Sequence, residues 1–150
     1  MGKFSSRKGA AFERRIAKMF EDAYGYAISR TPQSGGWGKH FTSGDLVAPE
    51  HPEFPWFCEC KNDQSWNLWS SIFENKGMVD KWWIKACRQA KNEGKEPLLV
   101  IGQDVQKPLV LFENCSAFIH MRPIIFISLG KNNEMTVCVM RLDQFLKTIT

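Results

Sequence analysis

At 150 residues, with 43% hydrophobic and 24% charged side chains and a formal net charge of +4, the chain has the composition of a soluble globular protein. Its length suits one domain spanning residues 1–150. No apolar run approaches the roughly 20 residues needed to cross a bilayer, and residues 1–11 lack the apolar stretch of a secretory signal, so a cytoplasmic protein with no membrane partner is expected.

The charge is unevenly placed. Residues 1–40 carry eight Lys/Arg against three acids, and the remaining 110 carry twelve against thirteen. A basic N-terminal arm and first helix, with Lys8 and Arg14 among its cations, is what a phosphate-binding face needs; a solvated helix face with ion pairs explains the same charges. Five cysteines, Cys58, Cys60, Cys87, Cys115 and Cys138, are scattered without the spacing of a disulfide framework, and reduced thiols are expected. A zinc site from Cys58-x-Cys60 and a distant histidine is not favoured.

In chain order, Ser5 or Ser6 is predicted to cap a helix running to about Tyr24, stopped by Gly25, with Phe12, Ile16, Met19 or Phe20 and Ala23 as its buried stripe. Tyr26–Arg30 reads as a short strand and 31–43 as a Gly- and Ser-rich loop bearing Lys39 and His40. Leu46–Ala48 and Trp56–Lys61 read as strands around a Pro-rich turn. Alternation puts Phe57, Glu59 and Lys61 on one face of the second, and Trp56, Cys58 and Cys60 on the other. Residues 62–77 read as an irregular, tryptophan-bearing insertion. A helix is predicted from about Met78 to Asn92, closed by Gly94 and Pro97. The apolar run Leu98–Ile101 follows as a strand buried on both faces, reached by a right-handed crossover. Leu109–Phe112, Ile124–Ser128 and Thr136–Arg141 are further strands, and Leu142–Ile149 a closing helix. The order implies an α/β fold around one mixed sheet.

The chemistry concentrates in Glu13, Asp45 and Glu59-Cys60-Lys61. Phosphodiester hydrolysis needs a nucleophilic water, neutralised charge on phosphorus and a stabilised leaving oxygen. A magnesium ion supplies all three when hard oxygen ligands hold it and leave sites for water and phosphate. Two carboxylates at adjacent strand ends meet that need. Glu59 and Lys61, two apart on a strand, point the same way, which lets the ammonium orient or deprotonate the water, or stabilise charge on the phosphate. Glu-x-Lys alone is weak; its context is what gives it weight.

Four segments carry that context: Lys8-Gly9-Ala10-Ala11-Phe12-Glu13-Arg14, Arg30-Thr31-Pro32-Gln33-Ser34-Gly35-Gly36, Ser43-Gly44-Asp45-Leu46 and Phe57-Cys58-Glu59-Cys60-Lys61. Together they resemble the archaeal-type Holliday junction resolvases, and more closely the resolvase-like proteins encoded by bacteriophages. The latter share the Ser-Gly-Gly-Trp and Ser-Gly-Asp pattern, the Glu-Cys-Lys and a Trp-Trp pair, here Trp82-Trp83. Both groups belong to the PD-(D/E)XK superfamily, and the likeness covers roughly residues 8–102.

The resemblance implies a restriction-endonuclease-like three-layer domain, a central mixed sheet flanked by helices. It implies a Mg2+-dependent endonuclease, with Mn2+ as substitute, that resolves four-way DNA junctions as a homodimer, in the host cytoplasm if phage-encoded. Asp45 and Glu59 would ligate the metal with the Cys60 carbonyl, Glu13 would complete the acidic site directly or through water, and Lys61 would be the catalytic lysine. Arg30 and Ser34 would lie on the loop that contacts the scissile phosphate, near Lys39, and Gln89 would be the glutamine such nucleases place on the second helix. The phage pattern often has a glutamine where this chain has Lys85, one turn earlier on the same face.

Blander readings stand beside these. Glu13 sits among basic residues and fits a surface ion pair; Asp45 after Gly44 fits a turn; Arg30, Lys39 and Ser34 fit a solvated loop. Trp66, Trp69, Trp82 and Trp83 suit base stacking, yet Val79, Trp82 or Trp83, Ala86 and Ala90 fall at helical spacing, so at least one tryptophan belongs to the core. The insertion's tryptophans also suit a dimer contact. His51 and His120 carry no pattern. Two rival functions keep part of this reading: another structure-specific, nicking or restriction-type nuclease, and a non-catalytic DNA-binding protein retaining the fold.

Overall fold

The computed structural model of the chain describes residues 3–32, 44–74, 77–113, 125–129 and 135–150. The elements run α1 (Lys3–Tyr24), β1 (Ser29–Arg30), β2 (Leu46–Val47), β3 (Trp56–Asn62), α2 (Leu68–Phe73), α3 (Val79–Glu93), β4 (Glu96–Gly102), β5 (Leu109–Phe112), β6 (Ile125–Leu129), β7 (Met135–Arg141) and α4 (Leu142–Ile149). Five strands form one mixed sheet in the order β3-β4-β5-β7-β6, and β1 and β2 make a separate antiparallel pair. β3 and β4 run parallel, with Glu59 opposite Leu99 and Lys61 opposite Ile101. A parallel pair needs a long connection, which α2 and α3 supply.

Period-two alternation divides the sheet's side chains between two cores. Cys58, Cys60, Leu98, Val100, Val110, Phe112, Cys138 and Met140 pack against Phe12, Ile16 and Phe20 of α1 and Phe145 of α4. Leu99, Ile101, Leu111, Val137 and Val139 face the other way, onto Val79, Trp82 and Trp83 of α3. The result is three layers, helix–sheet–helix, as expected for a restriction-endonuclease-like fold. Both tryptophans of the Trp-Trp pair are buried and Trp83 is fully enclosed; loss of a core side chain that size costs about 3–5 kcal/mol. Trp82 and Trp83 are therefore core residues rather than base-stacking platforms.

Several expectations need adjustment. Ser5 and Ser6 lie inside α1 rather than capping it, since serine is tolerated within a helix when its neighbours favour one. β1 covers only Ser29–Arg30, because its ladder with β2 is two residues long; Tyr26 instead stacks on His51, with ring centroids 3.8 Å apart. The insertion is not wholly irregular. Asn67 accepts a hydrogen bond from Trp69 N and caps the six-residue α2, a helix too short to show periodicity. Cys58, Cys60 and Cys87 are free thiols, whereas Cys138 is disulfide-bonded, contrary to the expectation of reduced cysteines throughout. Spacing along the chain does not reveal which cysteines a fold brings together.

Candidate active site

The site grows from the open edge of β3. Because β3 ends the sheet, alternate backbone groups on its outer side have no neighbouring strand. The segment entering β2 takes them up. Gly44 bridges Cys58 in parallel register, Asp45 N donates to the Cys58 carbonyl at 2.7 Å, and Cys60 N donates to Asp45 Oδ2 at 2.7 Å. The Asp45 carbonyl in turn accepts from Thr31 N at 2.8 Å. This stitching explains Gly44. It sits at φ 73°, and a Cβ there would lie 2.5 Å from the Cys58 carbonyl oxygen, so only glycine allows the approach. On a strand, a residue's N–H and C=O project from the same edge, so the Cys60 carbonyl faces the side on which Asp45 is held.

Glu59 projects from β3 toward α3, opposite to Cys58 and Cys60, and is buried. Its Oε1 receives Lys61 Nζ at 2.7 Å and Lys85 Nζ at 3.5 Å. Gly44, Asp45, Phe57, Glu59 and Gln89 line one open cavity of about 250 Å³. Gln89 Oε1 is buried with no hydrogen-bond partner among the described residues, a cost tolerated where a ligand completes the bonding. Asp45 and Glu59, fourteen residues apart in the chain, thus meet at one hollow, with Gln89 on its wall.

Glu13 is buried on α1, and its Oε2 accepts a hydrogen bond from Arg30 Nε on β1. A guanidinium compensates this carboxylate within the fold. Asp45 has no such partner among the described residues. Burial pushes its carboxyl up from 3.8 to about 6, with the negative charges of Glu59 and Glu13 adding to the effect; the Cys60 N–H bond and Lys61 oppose it. Burial pulls the Lys61 ammonium down, but the hydrogen bond and charge of Glu59, with Asp45 behind it, outweigh that and hold Lys61 above its ordinary value. The Cys60 thiol is raised by its bond to Cys58, 4.0 Å away, and by burial. A protonated thiol turned into the α1–α4 core is neither zinc ligand nor nucleophile.

Of the predicted site residues, then, Asp45, Glu59, Lys61 and Gln89 come together, and Glu13 and Arg30 form a pair within electrostatic reach of them. Among the described residues no three Asp, Glu, His or Cys side chains converge as a metal-binding group; Glu13 is occupied by Arg30. Lys8 is drawn to Asp104 at 3.7 Å, and Arg14 is exposed on α1. Ser34, Lys39 and His40 lie outside the described residues. Lys85, where the phage pattern often has a glutamine, also reaches the site, 3.5 Å from Glu59 Oε1. The donor chemistry fits a hard divalent cation: two carboxylate side chains, one of them uncompensated, beside a main-chain carbonyl, with no soft ligand among them.

A family profile described as "Phage putative PDDEXK endonuclease" matches residues 4–150. Among curated proteins and among solved structures, none matches the chain.

Proposed function

Because the chain belongs to the phage putative PDDEXK endonuclease family, we propose that it hydrolyses DNA phosphodiester bonds with a divalent cation, magnesium or manganese, held by Asp45, Glu59 and the Cys60 carbonyl. The observation that carries this reading is the Cys60 N–H bond that fixes Asp45 beside Glu59 at one cavity. The chemistry a cation supplies when bound there is an acidified water and neutralised charge on the phosphate. The protein's own groups do the rest. Asp45 is pre-oriented from the backbone, so no ordering is needed at the moment of reaction. Lys61, kept as an ammonium by Glu59, places positive charge where the phosphate's negative charge develops. Gln89 offers an oxygen with no partner among the described residues to a water or substrate donor. Glu13, neutralised by Arg30, shapes the field around Asp45.

The substrate we propose is a four-way DNA junction, supported by the likeness of the Ser-Gly-Gly-Trp, Ser-Gly-Asp and Glu-Cys-Lys segments to resolvases. Symmetric cutting of two strands calls for a twofold homodimer. Cleavage of a labelled four-way junction is to be compared with linear, nicked and flapped duplexes in magnesium, beside a reaction in EDTA. The junction is expected to be cut fastest and only with the metal. Equal rates on all four would remove the junction and leave a nuclease of broader substrate; no cutting of any, with binding intact, would favour a DNA-binding protein that retains the fold.

A further inference from the structure

The exposed face of α3 carries a charge pattern that the net charge of its half of the chain conceals. At 100° per residue, Lys81, Lys85, Arg88 and Asn92 fall within about 60° of one another on the helix, opposite the buried stripe of Val79, Trp82, Trp83, Ala86 and Ala90. All four are exposed. No acid falls in that wedge, since Asp80 and Glu93 point elsewhere around the helix. Lys81 and Arg88 make no ion pair with any described residue. On α1, by comparison, Lys18 is paired with Glu21 and Asp22 at 3.0 and 2.9 Å and Lys8 with Asp104, while Arg7 and Arg14 are exposed. A solvated helix normally intersperses acids with its cations.

The stripe is also continuous with the site. Lys85, its middle cation, lies 3.5 Å from Glu59 Oε1. That oxygen is already bonded by Lys61 at 2.7 Å, so the Lys85 ammonium keeps donors for another anion. Lys81 to Arg88 rises about 10 Å along the helix, close to the axial rise of three phosphate-to-phosphate steps on one DNA strand at about 3.4 Å each. We propose that Lys81, Lys85 and Arg88 form a track for the DNA phosphate backbone, leading across α3 to the Asp45–Glu59 cavity. The inference rests on DNA being the substrate and adds the surface that holds it. Such contacts position the duplex without reading its sequence.

The test uses the full chain with Lys81→Gln and Arg88→Gln combined, both away from the cavity, and reads anisotropy of a labelled junction in EDTA, where nothing is cut. Each lost phosphate contact removes about 0.9 from the slope of log affinity against log salt. The double variant is therefore expected to show a slope shallower by nearly two, so that over a fourfold rise in salt wild type loses about tenfold more affinity than the variant. Lys81→Arg with Arg88→Lys, which keeps both charges, is expected to retain the wild-type slope, and an unchanged thermal midpoint would show both variants folded. A wild-type slope in the double Gln variant overturns the proposal. Failure of the catalytic reading would look different: cleavage would survive Asp45→Asn, while this slope would still change.

Discussion

Glu13 and Asp45 stand on two walls of one site, and the fold treats them differently. On the α1–β1 wall, Arg30 meets Glu13 directly, and the carboxylate's charge is answered from within the chain. On the β2–β3 wall, Asp45 receives a backbone N–H, and burial, with the negative charges of Glu59 and Glu13 adding to it, pushes its carboxyl up to about 6. A fold gains nothing by holding a carboxylate in that position unless something positive is to arrive there. The pair teaches that two acids held in one region differ in whether a cation of the described chain answers them: Arg30 meets Glu13, and among the described residues no ion pair answers Asp45.

The largest effect that sharpens this contrast is on cleavage. Asp45→Asn or Glu59→Gln is expected to slow DNA cutting by at least about 100-fold, because charge stabilisation worth several kcal/mol is lost, while DNA binding persists. Glu13→Gln, one step removed, is expected to slow it by about tenfold. Single-turnover rates beside anisotropy check both, and equal losses would break the distinction between the walls.

Next in size is the backbone that places Asp45. Gly44→Ala puts a Cβ 2.5 Å from the Cys58 carbonyl oxygen at φ 73°, and is expected to cost about 2 kcal/mol or more in denaturant unfolding, with cleavage falling alongside. An unaltered midpoint would show that the bridge to β3 is not what holds Asp45.

Smallest, and opposite in sign on the two walls, are the effects on stability without metal. Glu13→Gln strands the Arg30 guanidinium, 23% exposed, and is expected to cost about 1–2 kcal/mol. For Asp45 the folded value near 6 exceeds the ordinary 3.8, so the folded state binds the proton more tightly. Its contribution is complete below about pH 4 and lost as pH rises through 6. In EDTA at pH 7.5, Asp45→Asn is expected to be more stable than wild type by about 1–2 kcal/mol, allowing for partial solvation, with the gap closing toward pH 4. Urea unfolding at both pH values reads it.

How much of this was legible beforehand follows from the range of each interaction. β3 and α3 were readable because alternation and helical spacing are local and strong, and Asp45 with Glu59 because the motif carries them. β1 was overextended because strand residues without a partner look like those with one. The pair between Arg30 and Glu13 joins residues seventeen apart in the chain, which no spacing rule reveals. The α3 stripe is hidden by a regional charge near zero, since counting sums charges that a helix separates by face, although the position of Lys85 one turn before Gln89 is readable.

The most direct measurement is titration of Mn2+ into metal-free wild type and Asp45→Asn by calorimetry. A binding event in wild type that disappears in Asp45→Asn is the predicted result. Unchanged heats and affinity in Asp45→Asn would contradict the account, because the cation would then be held without the carboxylate that the edge of β3 sets in place.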